Sequence, residues 1–120
     1  YDSKGGEVMI EIIVKEYLEK ELDVPVYLEI SETAAEQYVT VEKTGGGKTD
    51  HVNSATLAIQ SRAGSMYEAA KLNEAVKKAM DRIIAEDAVS RSSLNSDYNF
   101  TDVTTGKYRY QAVYDLKYCE

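Results

Sequence analysis

The residues that most resemble a chemical motif are Gly47-Lys48-Thr49, which match the end of a phosphate-binding P-loop. That loop requires a glycine five positions earlier, and Glu42 occupies this place. A P-loop also lies between a strand and a helix, so that backbone amides and the helix dipole face the phosphate. Residues 51–61 alternate instead like a strand, and the sequence therefore favours a hairpin over a nucleotide site.

Nucleophilic and metal-binding side chains are scarce. His51 is the only histidine and Cys119 the only cysteine, whereas zinc sites use three or four such ligands. The sequence has no G-x-S-x-G elbow, and its acidic residues show no spacing that brings two of them together for acid–base chemistry or magnesium binding. We therefore predict no catalytic, cofactor-binding or metal-binding residues and do not expect an enzyme.

Composition indicates one acidic domain. A chain of 120 residues suffices for a single hydrophobic core, and 43% hydrophobic with 29% charged residues is ordinary for a globular protein. The net charge of −7 argues against general binding to DNA or RNA, which depends on Lys and Arg contacts to phosphates. One cysteine, no signal-peptide pattern and no membrane-length apolar run predict a protein of the reducing cytoplasm with no membrane partner.

Hydrophobic periodicity predicts two helices and five strands. Apolar residues recur at three- and four-residue steps over residues 7–22 and again from residue 65 to 83, where Ser65 and Glu68 form a capping box. Alternation of apolar and polar residues predicts strands at 26–30, 37–43, 51–61, 89–101 and 107–118. The order α-β-β-β-α-β-β with short connections favours an α+β fold, a mostly antiparallel sheet with two helices packed on one face.

Two segments stand outside this periodicity. Residues 1–8 contribute no periodic apolar position, so we interpret them as a flexible N-terminal segment or vector-derived residues ahead of a single domain, residues 9–120. The glycine-rich residues 44–50 predict a flexible hairpin tip, because glycine permits many backbone conformations.

Tyrosine dominates the aromatic residues, with ten tyrosines, one phenylalanine and no tryptophan. Tyr108, Tyr110, Tyr114 and Tyr118 fall on one face of the last predicted strand. A face of this kind normally meets its own helices, although tyrosine is also favoured at subunit contacts. We therefore favour packing of these tyrosines into the domain's own core over a subunit contact.

Six stretches together resemble the small tail-terminator or tail-completion (head–tail joining) proteins of tailed bacteriophages and related prophages. The resemblance covers about residues 9–118. The stretches are residues 23–29 (DVPVYLE), 41–47 (VEKTGGG), 58–61 (AIQS), 66–70 (MYEAA), 94–101 (LNSDYNFT) and 108–114 (YRYQAVY).

The resemblance implies a structural virion protein that forms a ring, typically a hexamer, on the head-proximal end of the tail tube. The ring would end tube polymerisation and present a surface to the head–tail connector proteins. DNA would pass through it without sequence-specific binding. The implied location is the virion tail or neck, and the host cytoplasm during assembly.

On this interpretation the glycine-rich tip contacts a neighbouring subunit or the tube protein. The expected contact residues are Lys43, Thr44, Gly45, Gly46, Gly47, Lys48, Thr49 and Asp50. Two other functions stay open: a head-completion or neck protein that closes the connector, and a small ligand-binding or enzymatic α+β domain. Ring formation separates the assembly proteins from the third class, whose members are more often monomers or dimers.

Overall fold

The computed structural model describes residues 9–29, 36–86 and 88–119, and the predicted segment 1–8 lies outside these ranges. The predicted fold is confirmed: two helices and a five-stranded, mostly antiparallel mixed sheet follow the order α-β-β-β-α-β-β. The strands lie side by side as β1-β2-β3-β5-β4, and only the pair of β1 with β2 is parallel. The elements are α1 (Ile10–Glu21), β1 (Val26–Tyr27), β2 (Tyr38–Thr49), β3 (Val52–Ala63), α2 (Met66–Asp81), β4 (Val89–Asn99) and β5 (Tyr108–Tyr118).

The core lies between the two helices and one face of the sheet. Val41, Ile59 and Ala112 are direct neighbours across β2, β3 and β5, and all three are buried. The sheet residues of this face and the inward residues of both helices form one hydrophobic cluster. The Tyr17 hydroxyl donates a hydrogen bond of 2.7 Å to the Ala79 carbonyl, so the buried phenol also links α1 to α2.

Helix α2 begins where the capping box predicts. The Ser65 hydroxyl accepts a hydrogen bond from the Glu68 amide at 3.2 Å, which satisfies one of the free amides of the first turn. The predicted apolar stripe is buried along its whole length, and α2 packs on β3 and β5. This stripe consists of Ala69, Leu72, Val76, Ala79, Met80 and Ile83, the last within a 3₁₀ turn, Ile83–Ala85.

Strand β1 is shorter than predicted, because only Val26 and Tyr27 pair with β2. Leu28 is exposed, and the predicted end of the strand at residue 30 lies outside the described residues. The Pro25 carbonyl accepts a hydrogen bond of 3.0 Å from the Val39 amide.

The prediction of a flexible tip at residues 44–50 is wrong. Strand β2 runs through the glycines to Thr49, and the turn consists of Asp50 and His51 alone, with φ of 51° and 69°. Two consecutive positive φ angles are typical of the two-residue turns that match the twist of a β-hairpin. Glycines have no side chain, so this part of β2 shows no alternation of apolar and polar residues. The partner strand β3 does alternate, and its buried face determines the register of the pair.

The last two strands exist as predicted, although not all of their aromatic residues reach the core. Tyr114 and Tyr118 are buried, whereas Tyr108 is 36% exposed at the start of β5. In β4, register shifts next to Val89 and Leu94 change which residues face the helices, and Leu94 is exposed. No helix in the described ranges is long and apolar enough to cross a membrane.

Candidate interaction surfaces

The exposed half of β2, residues 42–49, forms part of one edge of the sheet. Strand β1 pairs only with Val39 and Thr40, and beyond them no strand in the described ranges pairs with β2 on that side. Every residue from 42 to 49 is exposed. The open side of this strand therefore presents backbone groups that another strand could bind.

The predicted contact residues come together on this edge rather than in a loop. Seven of them belong to β2, and Asp50 lies in the turn. A bulge at Thr44 shifts the register, and the Thr44 hydroxyl donates to the Thr56 carbonyl at 3.3 Å. Beyond the bulge, the paired residues are Gly45 with Thr56, Gly46 with Ala55, Gly47 with Ser54, Lys48 with Asn53 and Thr49 with Val52.

Gly45 and Gly46 differ in the space around them. A Cβ atom at Gly45 would have its nearest neighbours 3.9 Å away, on Thr56. A Cβ atom at Gly46 would lie 2.9 Å from Lys43 Cε and 3.1 Å from the Ser54 carbonyl oxygen. The surroundings of Gly45 would thus accept a Cβ atom, but the glycine has none. The absence of a side chain allows another backbone to approach this part of the strand closely.

The opposite edge, β4, is fastened to α2 by a polar cluster that the sequence did not predict. Asp97 accepts a hydrogen bond of 2.6 Å from Asn73 and forms a 2.6 Å ion pair with Lys77. Lys77 also pairs with Glu74 at 2.6 Å. The one feature of the sequence that could have indicated this cluster is Asn73, a polar residue beside the apolar stripe of α2. In the structure Asn73 is buried.

The electrostatics of this cluster agree with its geometry. Burial alone would raise the pKa of Asp97, but the hydrogen bonds from Lys77 and Asn73 outweigh it and lower the pKa. The hydrogen bonds to Asp97 and Glu74 raise the pKa of Lys77 above its usual range. The nearby Tyr114 hydroxyl is buried, and burial raises its pKa to about 12. The charged forms of Asp97 and Lys77 therefore stabilise each other.

The sheet face away from the helices carries a polar row across three strands. Arg62 donates to Gln60 at 2.6 Å, and Gln60 donates to Gln111 at 2.8 Å. Gln111 in turn donates to the Tyr98 hydroxyl. On this face, side-chain hydrogen bonds therefore connect neighbouring strands, and no helix among the described residues covers them.

The described residues assemble no recognisable reaction centre. Within them, no three His, Cys, Asp or Glu side chains could hold one metal ion. His51 lies in the hairpin turn and Cys119 is exposed after β5. Gly47-Lys48-Thr49 is part of a strand and is followed by a turn and a second strand, so it lacks the setting of a P-loop.

Comparison with known proteins adds no family to these observations. No protein-family model matches the sequence, and no curated protein is significantly similar to it.

Proposed function

We propose that this chain is a structural virion protein that caps the head-proximal end of a phage tail tube as a ring. The ring ends tube polymerisation and presents a surface to the head–tail connector. Its partners are further copies of the chain, typically six in a ring, together with the tube protein and the connector proteins. DNA passes through the ring without being read.

The observation that supports this proposal best is the open edge formed by the exposed half of β2. A long edge strand is a liability in a protein that acts alone, because it invites pairing with other chains. In an assembly protein, the same edge adds a strand or a loop of a neighbour through backbone hydrogen bonds. The bulge at Thr44 restricts this pairing to a partner of matching shape.

Polymerisation of the cognate tail-tube protein tests the function. We expect the chain to form rings that electron microscopy detects at one end of each tube, and tubes grown in its presence to stop lengthening. Binding to the connector alone, with tube growth unchanged, would instead indicate a head-completion or neck protein. A monomer that binds neither would contradict the proposal.

Gly45→Val tests the contact residues. The space at Gly45 accepts a Cβ atom and valine favours a strand, so the free energy of unfolding should stay the same or rise by about 0.5–1 kcal/mol. The added side chain projects from the sheet face, where it should hinder a partner that packs closely over Gly45, and fewer tubes should then carry rings.

Gly45→Ala provides the graded control, with a smaller loss of capped tubes. Urea unfolding gives the stability and electron microscopy gives the fraction of capped tubes. Normal capping by Gly45→Val would exclude close packing of a partner over Gly45.

A further inference from the structure

Cationic and aromatic side chains lie side by side on the sheet face away from the helices. Tyr38, Arg62 and Arg109 are direct neighbours across β2, β3 and β5, and they alternate with the buried Val39 and Ser61 of the helix-covered face. The Arg62 guanidinium lies 5.8 Å from the Tyr38 ring centre, and the Arg109 guanidinium lies 4.6 Å from that of Phe100. We call Tyr38, Arg62, Arg109 and Phe100 the arginine strip.

Arg62 is an unusual member of this strip because it is only 6% exposed. A buried guanidinium is normally paired with a carboxylate, since removing an unpaired charge from water is costly. Within the described residues, no carboxylate lies at ion-pair distance from Arg62, and its buried Nε has no hydrogen-bond partner. Burial and the like charge of Arg109 both lower the pKa of Arg62.

Arg109 also has no ion pair within the described residues. Its guanidinium donates to the Phe100 carbonyl and stacks over that ring. The neighbouring acid Asp102 is occupied by its own turn, where it accepts hydrogen bonds from the amides of Thr104 and Thr105. Two arginines therefore stand next to each other without a carboxylate between them, in a chain whose net charge is −7.

The complementary charge lies on α1. Glu19 pairs with Lys15 and Glu21 with Arg82, but Glu11 and Glu16 make no ion pair within the described residues. Helix α1 packs on the face of the sheet opposite to the arginine strip. A single copy therefore carries an arginine-rich surface on one side and an acidic surface on the other.

We propose that the arginine strip binds the acidic surface of α1, Glu11 and Glu16, in a second copy of this chain. The contact joins two different surfaces, so it is heterologous and adds subunits head to tail, closing into a ring when the rotation permits. It would give Arg109 an ion pair that Asp102, occupied by its own turn, does not provide, and it would place negative charge near Arg62. This inference rests on the proposed ring and specifies which surfaces form it.

Charge reversal tests the contact. Arg109→Glu should raise the concentration for half-maximal ring assembly by about thirtyfold or more, because it sets like charges against each other at an interface. Analytical ultracentrifugation with the tube protein present measures this concentration. The effect should shrink at high salt, which screens charges near the surface.

A matched control uses Arg91, which is exposed at the other end of the same sheet face. Arg91→Glu makes the same charge change and should leave assembly within about threefold of the wild type. The double variant Arg109→Glu with Glu16→Arg should regain assembly, because it exchanges the two charges. If circular dichroism shows that Arg109→Glu is unfolded, Arg109→Gln replaces it, with a smaller loss expected.

Any of five outcomes would overturn the inference. Equal losses in the Arg91 and Arg109 variants would indicate a net-charge effect, and failure of the charge exchange to restore assembly would exclude α1 as the partner. Loss of single-stranded oligonucleotide binding in Arg109→Glu with normal rings would identify the strip as a nucleic-acid surface. Normal rings in every variant would refute this contact alone, whereas a wild type that forms no ring would refute the proposed function as well.

Discussion

The two edges of the sheet are held in different ways. Strand β4 pairs with β5 and is fastened to α2 through the cluster around Asp97. The exposed half of β2 pairs with β3, and all of its residues are exposed. A tethered edge contributes to the stability of the domain, whereas a bare edge can change with little effect on it. Strand β4 is therefore the edge that contributes more to stability, and the exposed half of β2 is the edge that a partner could reach.

The largest effect should come from releasing the tethered edge. Lys77→Ala removes both ion pairs and leaves Asp97 without its cation, which should lower the free energy of unfolding by about 2 kcal/mol at neutral pH. Lys78→Ala changes the exposed neighbour on the same helix and should shift it by less than about 0.5 kcal/mol. Urea denaturation measures both, and equal effects would show that β4 does not depend on this tether.

A smaller effect with a defined pH dependence should follow from Asp97→Asn. Because the folded state lowers the pKa of Asp97, its carboxylate stabilises the domain above the unfolded value of about 4, and this contribution disappears as the pH falls through the folded pKa. We expect a loss of about 1 kcal/mol at neutral pH. Unfolding curves of the two proteins should converge in acid, and a difference that persisted there would point to packing rather than charge.

The smallest effect should occur at the turn that ends the bare edge. His51 adopts φ of 69°, a conformation that glycine occupies without strain, so His51→Gly should stabilise the domain by about 0.5 kcal/mol. Gly106 has φ of 68° in the turn before β5, so the comparison variant Gly106→Ala should change stability in the opposite direction and destabilise the domain. Thermal unfolding compares the two, and a destabilising His51→Gly would show that the histidine side chain holds the turn.

The sequence predicts best those helices and strands in which apolar residues recur at regular intervals. The buried stripe of α2, the capping box at Ser65 and the alternation of β3 and β5 are local patterns, and the structure confirms them. The glycines of β2 have no side chains, so their sequence predicts a loop. In the structure they pair with Thr56, Ala55 and Ser54 of β3 and extend the strand. In β4, the register shift after Leu94 breaks the alternation. Leu94 pairs with the buried Tyr114, whereas Tyr98 pairs with Gln111 on the opposite face, so the two residues do not share a face as their parity predicts.

The surfaces were harder to predict because they depend on pairs of distant residues. The predicted contact residues 43–50 form an edge strand and its turn rather than the flexible loop that their glycines suggest. The contact of Asp97 with Asn73 and Lys77 joins β4 to α2, and no local pattern marks it. The arginine strip likewise appears only when the register places Arg62 beside Arg109.

The position of β3 in the sheet has a consequence for how the chain folds during synthesis. Its first neighbour, β2, precedes it directly, but its second neighbour, β5, is translated only after α2 and β4. Pairing between residues so far apart in sequence is slow to form, since a long loop must close first. Until β5 emerges from the ribosome, the second edge of β3 stays open, and the newly made chain is most prone to aggregate at this stage.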